Sequence, residues 1–163
     1  MPITGIKQPD ILTIDDDLRL RAFNTIPACA IQWYQDPETV WLVDGNRVPY
    51  TEKRLNAMYS YLHDHGELYF IEVLEKGAWR PIADVTFWRE DMPIVIGAPE
   101  YRGKGIGRKV IAALVRRGRQ LGYDKLYVNE IYDHNPVSRK CFEGLGFRAW
   151  EKTEKGSRFM LEL

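Results

Sequence analysis

The residues best suited to chemistry lie together at positions 99–107, which read Pro-Glu-Tyr-Arg-Gly-Lys-Gly-Ile-Gly. Gly103, Gly105 and Gly107 separate the apolar run Ile94-Val95-Ile96 from an amphipathic segment that begins at Arg108. Glycine has no Cβ, so the backbone can turn sharply and approach an anion closely, and the first turn of a following helix leaves N–H groups without partners. Together with the positive end of the helix dipole, these donors predict a cradle for a phosphate or pyrophosphate. A Walker loop is excluded, because Gly103-Lys104 is followed by Gly105 and not by Ser or Thr. The dinucleotide fingerprint is excluded by spacing, since its glycines run G-x-G-x-x-G. What is present is Arg-x-x-Gly-x-Gly, carried by Arg102, Gly105 and Gly107 and preceded by Pro99 and Tyr101.

A strand must lead into this cradle and a helix must leave it. Residues 92–96 supply the strand. Residues 108–121 supply the helix, with Val110, Ile111, Leu114, Val115 and Leu121 at helical spacing and Gly122 as its stop. Arg108 and Lys109 lie close enough to the cradle to reach a phosphate, whereas Arg116, Arg117 and Arg119 read as a solvated face. Residues 125–132 form the next strand, and a helical connection between two strands implies that they run parallel. Pro136 opens a short helix ended by Gly144, and residues 147–152 and 158–163 read as a last hairpin.

Upstream, Leu18-Arg19-Leu20-Arg21 alternates with period two and predicts a first strand over residues 18–23, after a solvated Asp15-Asp16-Asp17 turn. Asn24 and Thr25 are capping residues before a helix expected over 26–35, which Asp36-Pro37 would end. Residues 38–49 read as a loop turning at Asp44-Gly45-Asn46. Thr51 caps a second helix through His63, with Gly66 as its stop, and residues 68–74 and 81–88 form an antiparallel hairpin around Glu75-Lys76-Gly77.

A chain of 163 residues, 45% of them hydrophobic, predicts a single domain over residues 1–163. Lysine and arginine balance aspartate and glutamate at 23 each, so no global field recruits nucleic acid or an anionic membrane. Cys29 and Cys141 lie outside any metal spacing and read as reduced thiols, and no membrane span or signal peptide is visible. These features predict a cytoplasmic protein without a metal.

The loop resembles the acyl-CoA pyrophosphate loop of the GNAT superfamily of N-acetyltransferases. A second pattern, Asn135-x-x-Ser138 followed by Phe142 and Gly144-Leu145-Gly146-Phe147, looks like that family's fourth helix and its exit. The start of the chain, with Trp33 and Asp36-Pro37, looks closest to the ribosomal-protein alanine and aminoglycoside 6′-N-acetyltransferase branch. The resemblance implies an α/β (α+β) fold: a mixed, mostly antiparallel sheet whose parallel fourth and fifth strands splay apart, with about four helices. It also implies acetyl-CoA as co-substrate, an amine acceptor as the other partner, and leaves a homodimer open. Ile94, Val95 and Ile96 would offer backbone partners to the pantetheine amides. Arg102, Gly103, Lys104, Gly105, Ile106, Gly107 and Arg108 would hold the pyrophosphate, and Asn135 and Ser138 would contact CoA.

By the same resemblance Glu130, five residues before Asn135, takes the place of a general base; read from the residues alone it is an exposed strand glutamate, and a one-residue shift in its strand is allowed for. Glu90 and Asp91 are lesser candidates in a turn. Backbone N–H groups near Ile96 and Gly97 would stabilise the oxyanion. The family's tyrosine acid is replaced by Phe142, which leaves Tyr132 or water as substitutes. Two other readings of the loop stay open: a catalytically silent CoA-binding sensor or interaction module, and a nucleotide-binding protein.

Overall fold

The Leu-Arg alternation is a strand because its two faces have different partners. In the computed structural model, which describes residues 1–163, Leu18 and Leu20 are buried, while Arg19 and Arg21 each place Nε 2.8 Å from a carboxylate oxygen of Glu72. The chain runs β1 (Ile11–Asp15), β2 (Leu18–Ala22), α1 (Ala30–Trp33), α2 (Pro37–Asp44), α3 (Glu52–His65), β3 (Glu67–Glu75), β4 (Ala78–Phe87) and β5 (Ile94–Ile96). A 3₁₀ turn at Pro99–Tyr101 follows, then α4 (Ile106–Gln120), β6 (Lys125–Tyr132), α5 (Pro136–Glu143), β7 (Arg148–Lys152) and β8 (Gly156–Glu162). No helix is long and apolar enough to cross a membrane.

The strands form two sheets, ordered β1-β2-β3-β4-β5 and β6-β8-β7, and every ladder is antiparallel. No ladder joins β5 to β6, so the expected fourth and fifth strands are each a sheet edge. The chain divides into two compact units, residues 1–88 with 94–102 and residues 89–93 with 103–163.

In the first unit α1, α2 and α3 contribute Trp33, Tyr34, Val40, Leu55 and Tyr59 to a core built on Leu68 and Phe70 of β3. Three expectations change here. An unforeseen β1 pairs with β2, and the acidic run is the turn between them, closed by Asp17 N–H donating to Asp15 Oδ1 at 2.9 Å. The helix expected over 26–35 shrinks to Ala30–Trp33, because Pro27 occupies a turn in which its carbonyl accepts from Ala30 N–H at 3.0 Å. The loop expected over 38–49 is largely α2: Asp36 caps it, accepting from Thr39 N–H, and Pro37 is its first residue, so Asp-Pro starts a helix here instead of ending one.

Asp84 on β4 is 2% exposed and its Oδ2 accepts from Tyr34 Oη at 2.7 Å and Tyr59 Oη at 2.8 Å. Burial pushes its pKa from an ordinary 3.8 up to about 6, against the two tyrosine hydrogen bonds, which favour the ionised form. The folded state therefore holds this proton more tightly than the unfolded chain. The stability it contributes is complete below about pH 4 and is lost as the pH rises through 6, by about 3 kcal/mol. Urea unfolding of wild type and Asp84→Asn should show wild type losing about that much stability relative to the variant between pH 4 and 7. Parallel pH profiles would contradict this reading.

In the second unit α4 buries Val110, Ile111, Leu114 and Val115, as the apolar spacing requires, and Phe142 of α5 packs edge-on against Phe147 with ring centroids 5.1 Å apart. Residues 89–93 lie along β6: Tyr127 N–H donates to Arg89 O and Asn129 N–H to Asp91 Oδ1, both at 2.9 Å.

Candidate active site

Within the first unit, the site begins at β5. Its register with β4 pairs Ile94 with Val85, Val95 with Asp84 and Ile96 with Ala83, and beyond it Gly97 N–H and Ala98 N–H both donate to Ile82 O at 2.9 Å. Opposed residues in an antiparallel ladder alternate between bonded and non-bonded pairs. With Gly97 bonded to Ile82, the next bonded pair is Val95 with Asp84, and the backbone groups of Ile94 and Ile96 turn to the outer edge of the sheet. Two expectations are corrected by this alternation. Val95 spends its backbone groups on β4, and the Gly97 N–H, committed to Ile82, is not an oxyanion donor. Gly97 is needed for another reason, since a Cβ there would come within 2.1 Å of Trp33 Cγ.

Arg102 does not point its guanidinium away from the protein. Its Nε donates to Ile96 O at 3.1 Å, and its Nη2 donates to Thr39 Oγ1 at 2.6 Å and approaches Asp36 Oδ2 at 3.5 Å. Burial would raise the Asp36 pKa, but hydrogen bonds from Thr39 and the charge and hydrogen bond of Arg102 hold it below the usual range. The preceding turn is tied down as well: Tyr101 Oη donates to Glu75 Oε2 at 2.5 Å, and Arg80 bridges Glu75 and Glu100 at 3.2 and 2.7 Å.

The second unit begins at the glycines. Gly103 and Gly105 have φ of 70° and 78°, the left-handed region where a Cβ is strained, and open space surrounds the Cβ position of each. Gly105 is the N-cap of α4, and the first helical hydrogen bond back to it comes from Lys109 N–H at 3.2 Å, so Ile106, Gly107 and Arg108 keep N–H groups with no intrahelical partner. This backbone fits an anion such as a pyrophosphate. The side chains around it are placed differently from expectation. Gly107 has its Cβ direction toward α5, 3.7 Å from Cys141 Sγ, and Arg108 Nη2 donates to Gly144 O at 3.2 Å, at the far end of α5. Lys104 is exposed.

Glu130 lies in a bulge. The β6–β8 register opposes Val128 to Phe159 and Ile131 to Ser157, which leaves Asn129 and Glu130 together opposite Arg158. Burial follows this extra residue, with Leu126, Val128 and Ile131 inside and Glu130 half-buried. The one-residue shift allowed for in the sequence is therefore present, and bulges of this kind re-aim side chains. Glu130 Oε2 accepts from the Thr153 hydroxyl, which in turn accepts from Gly156 N–H at 2.9 Å. Asp91 is used structurally, accepting from Asn129 N–H and Met92 N–H, and burial raises its pKa despite those bonds. Asn135 caps α5, its Oδ1 accepting from Ser138 N–H at 3.2 Å, which leaves its amide nitrogen as a donor. Phe142 is 2% exposed, and Tyr132 stacks on His134 at 4.9 Å.

Sequence reasoning missed Thr39, Asp36, Thr153 and Asp84. A signal for the first two existed, because Asp-Pro-Glu-Thr at 36–39 is a cap followed by proline at the first helical position.

A glycine cradle at a helix start is an arrangement suited to a phosphorylated ligand, and the chain that carries it has relatives. The chain matches the Acetyltransferase (GNAT) family over residues 30–147, across both units. It belongs to the GNAT acetyltransferase family. The uncharacterized N-acetyltransferase YycN of Bacillus subtilis (strain 168) is 40% identical over 48 residues, which are 29% of this chain and 30% of that relative, so the match spans under a third of its length. Among solved structures, a domain from Methanocaldococcus jannaschii DSM 2661 is similar at TM-score 0.74 and 22% identity, over 91% of this chain and 100% of that one. The aminoglycoside acetyltransferase AAC(6')-Ib, solved in complex with coenzyme A, is similar at TM-score 0.69 and 17% identity, over 89% and 94% of the two chains. At these identities the likeness concerns the fold, which is the GNAT acyl-CoA N-acyltransferase fold.

Proposed function

We propose that the protein is an acetyl-CoA-dependent N-acetyltransferase, acting as a single cytoplasmic domain and transferring an acetyl group to a primary amine of a small molecule or a protein N-terminus by direct attack. The observation that carries this is the left-handed Gly103 and Gly105 at the start of α4, with unspent N–H groups on Ile106, Gly107 and Arg108. The coenzyme A bound by AAC(6')-Ib is the kind of ligand such a cradle suits. In this reading the loop backbone holds the pyrophosphate, with Lys104 as the nearby exposed cation. The outward backbone groups of Ile94 hold the pantetheine amides, and the amide of Asn135 donates to the pantetheine beside Ser138.

The chemistry asks for a neutral amine, whereas an alkyl ammonium has a pKa near roughly 10.4. Glu130, directly or through a water, accepts that proton as the amine nitrogen bonds to the acetyl carbon. The outward N–H of Ile96 stabilises the oxyanion, and the carbon–sulfur bond then breaks to give a thiolate. Phe142 has no proton to supply, and a thiolate with a pKa of roughly 8.5 leaves without one. The rate should therefore rise with pH as the amine deprotonates and show no falling limb up to about pH 9.5, below the usual tyrosine pKa. A steep fall above pH 8 with the fold intact would reveal a side-chain acid, and Tyr132→Phe would test the nearest one.

Binding is tested by calorimetric titration with acetyl-CoA, ATP and NAD. Saturable binding of acetyl-CoA and none of the other two is the expected result. Binding of ATP or NAD without acetyl-CoA would overturn the assignment in favour of a nucleotide-binding protein.

A further inference from the structure

A loop built on glycines cannot hold its own shape, because glycine loses more conformational freedom on ordering than any other residue. Its geometry must be imposed from the flanks. Downstream the flank is α4. Upstream it is Arg102, the residue immediately before Gly103, whose backbone N–H already closes the 3₁₀ turn on Pro99 O at 3.1 Å.

The Arg102 guanidinium meets three acceptors from two elements: Ile96 O on β5, and Thr39 Oγ1 and Asp36 Oδ2 at the start of α2. Thr39 is 2% exposed. A hydroxyl carries one proton, and Thr39 gives it to Asp36 Oδ2 at 3.0 Å, which turns its lone pairs toward Arg102. Asp36 also accepts from Thr39 N–H at 3.3 Å, so the helix cap and the arginine clamp share one carboxylate. A planar guanidinium gripped from several directions fixes both the position and the orientation of its backbone.

We propose that Thr39 and Asp36 are positioning residues for the glycine loop, acting through Arg102, which serves as a strut and not as a phosphate ligand. The inference rests on the reading that this loop binds the pyrophosphate of acetyl-CoA. With Ile96 O committed to Arg102, the ligand's amide donors are left with Ile94 O on this strand.

The decisive experiment reads the loop without any ligand. Trypsin cleaves after Lys104 at a rate set by how often the loop leaves its native shape, and after Lys155, in the exposed β7–β8 turn, as an internal control. Thr39→Val, which keeps the shape and removes the hydroxyl, should speed cleavage after Lys104 roughly tenfold and leave Lys155 unchanged, as expected for the loss of one charge-assisted hydrogen bond. Thr39→Ser should restore the wild-type rate to within about twofold, since it keeps the hydroxyl. Arg102→Ala should match Thr39→Val, and the double variant should add little. If Thr39→Val folds poorly, the half-buried Arg102→Gln asks the same question. Unchanged cleavage after Lys104, or equal acceleration at both sites, would overturn the proposal and reduce the network to a helix cap. Calorimetry on the same variants forms the second arm, with acetyl-CoA affinity expected to fall about tenfold in Thr39→Val and to recover in Thr39→Ser. A wild-type protein that failed to bind acetyl-CoA would refute the proposed function, while the proteolysis would still decide the role of Thr39.

Discussion

Replacing Glu130 by glutamine should lower turnover by roughly 10²- to 10⁴-fold, the usual contribution of a general base. Glutamine preserves the size of the side chain and a carbonyl oxygen that can accept from the Thr153 hydroxyl, so the hairpin that Thr153 closes should persist. What is lost is basicity. Acetyl-CoA affinity should stay within about twofold, because no part of the proposed pyrophosphate cradle involves Glu130, and the split between turnover and binding marks a catalytic role. The ionisation that limits the wild-type rate at low pH should also vanish or move. Equal turnover of the two proteins across the pH range would remove Glu130 from the mechanism.

The second large effect is expected in the loop. Gly105 sits at φ 78°, and a β-branched side chain in the left-handed region costs of order 1–3 kcal/mol. Gly105→Val should escape that strain by abandoning the native turn, and acetyl-CoA affinity should fall roughly ten- to a hundredfold. Gly107→Ala is the instructive control. Its new methyl group would meet only Cys141 Sγ at 3.7 Å, an ordinary contact, so affinity should change by no more than a few-fold. Calorimetry that found the two variants alike would show that the loop conformation does not govern binding.

The parts of the protein that were legible in its sequence are those whose cause is local. The helix after the loop shows in the spacing of Val110, Ile111, Leu114 and Val115, the β3–β4 turn in Lys76-Gly77, both at positive φ, and α5 in an asparagine cap with proline next to it. The α2 start carried an equally local signal with two physical meanings. Proline excludes the helical region for the residue before it, which ends a helix upstream, and presets the first turn of a helix downstream. Only the burial of Thr39 and Val40 selects the second meaning here. β1 was hidden because its residues are at most half-buried, so the pattern carries little contrast.

The remainder of the site depends on contacts distant in sequence. Arg102 reads as a phosphate ligand by position, and its bond to Thr39, 63 positions away, has no local signal. The outward turn of Ile94 and Ile96 depends on the bond from Gly97 to Ile82, and the aim of Glu130 on a bulge that exists only once β6 is paired with β8. Arg108 looks like a neighbour of the cradle by position alone, yet its guanidinium caps the end of α5.

The central claim, acetyl transfer from acetyl-CoA to an amine, is tested most directly by incubating the wild-type protein with acetyl-CoA and a panel of primary amines while following free thiol. The panel should include aminoglycosides, polyamines and peptides with free N-termini, with mass spectrometry of the acceptors. The account predicts thiol release that depends on one class of amine and matches, mole for mole, a gain of one acetyl group on that amine. Tight binding of acetyl-CoA with no thiol released above the protein-free rate for any amine would contradict it, and would make the protein a silent CoA-binding module.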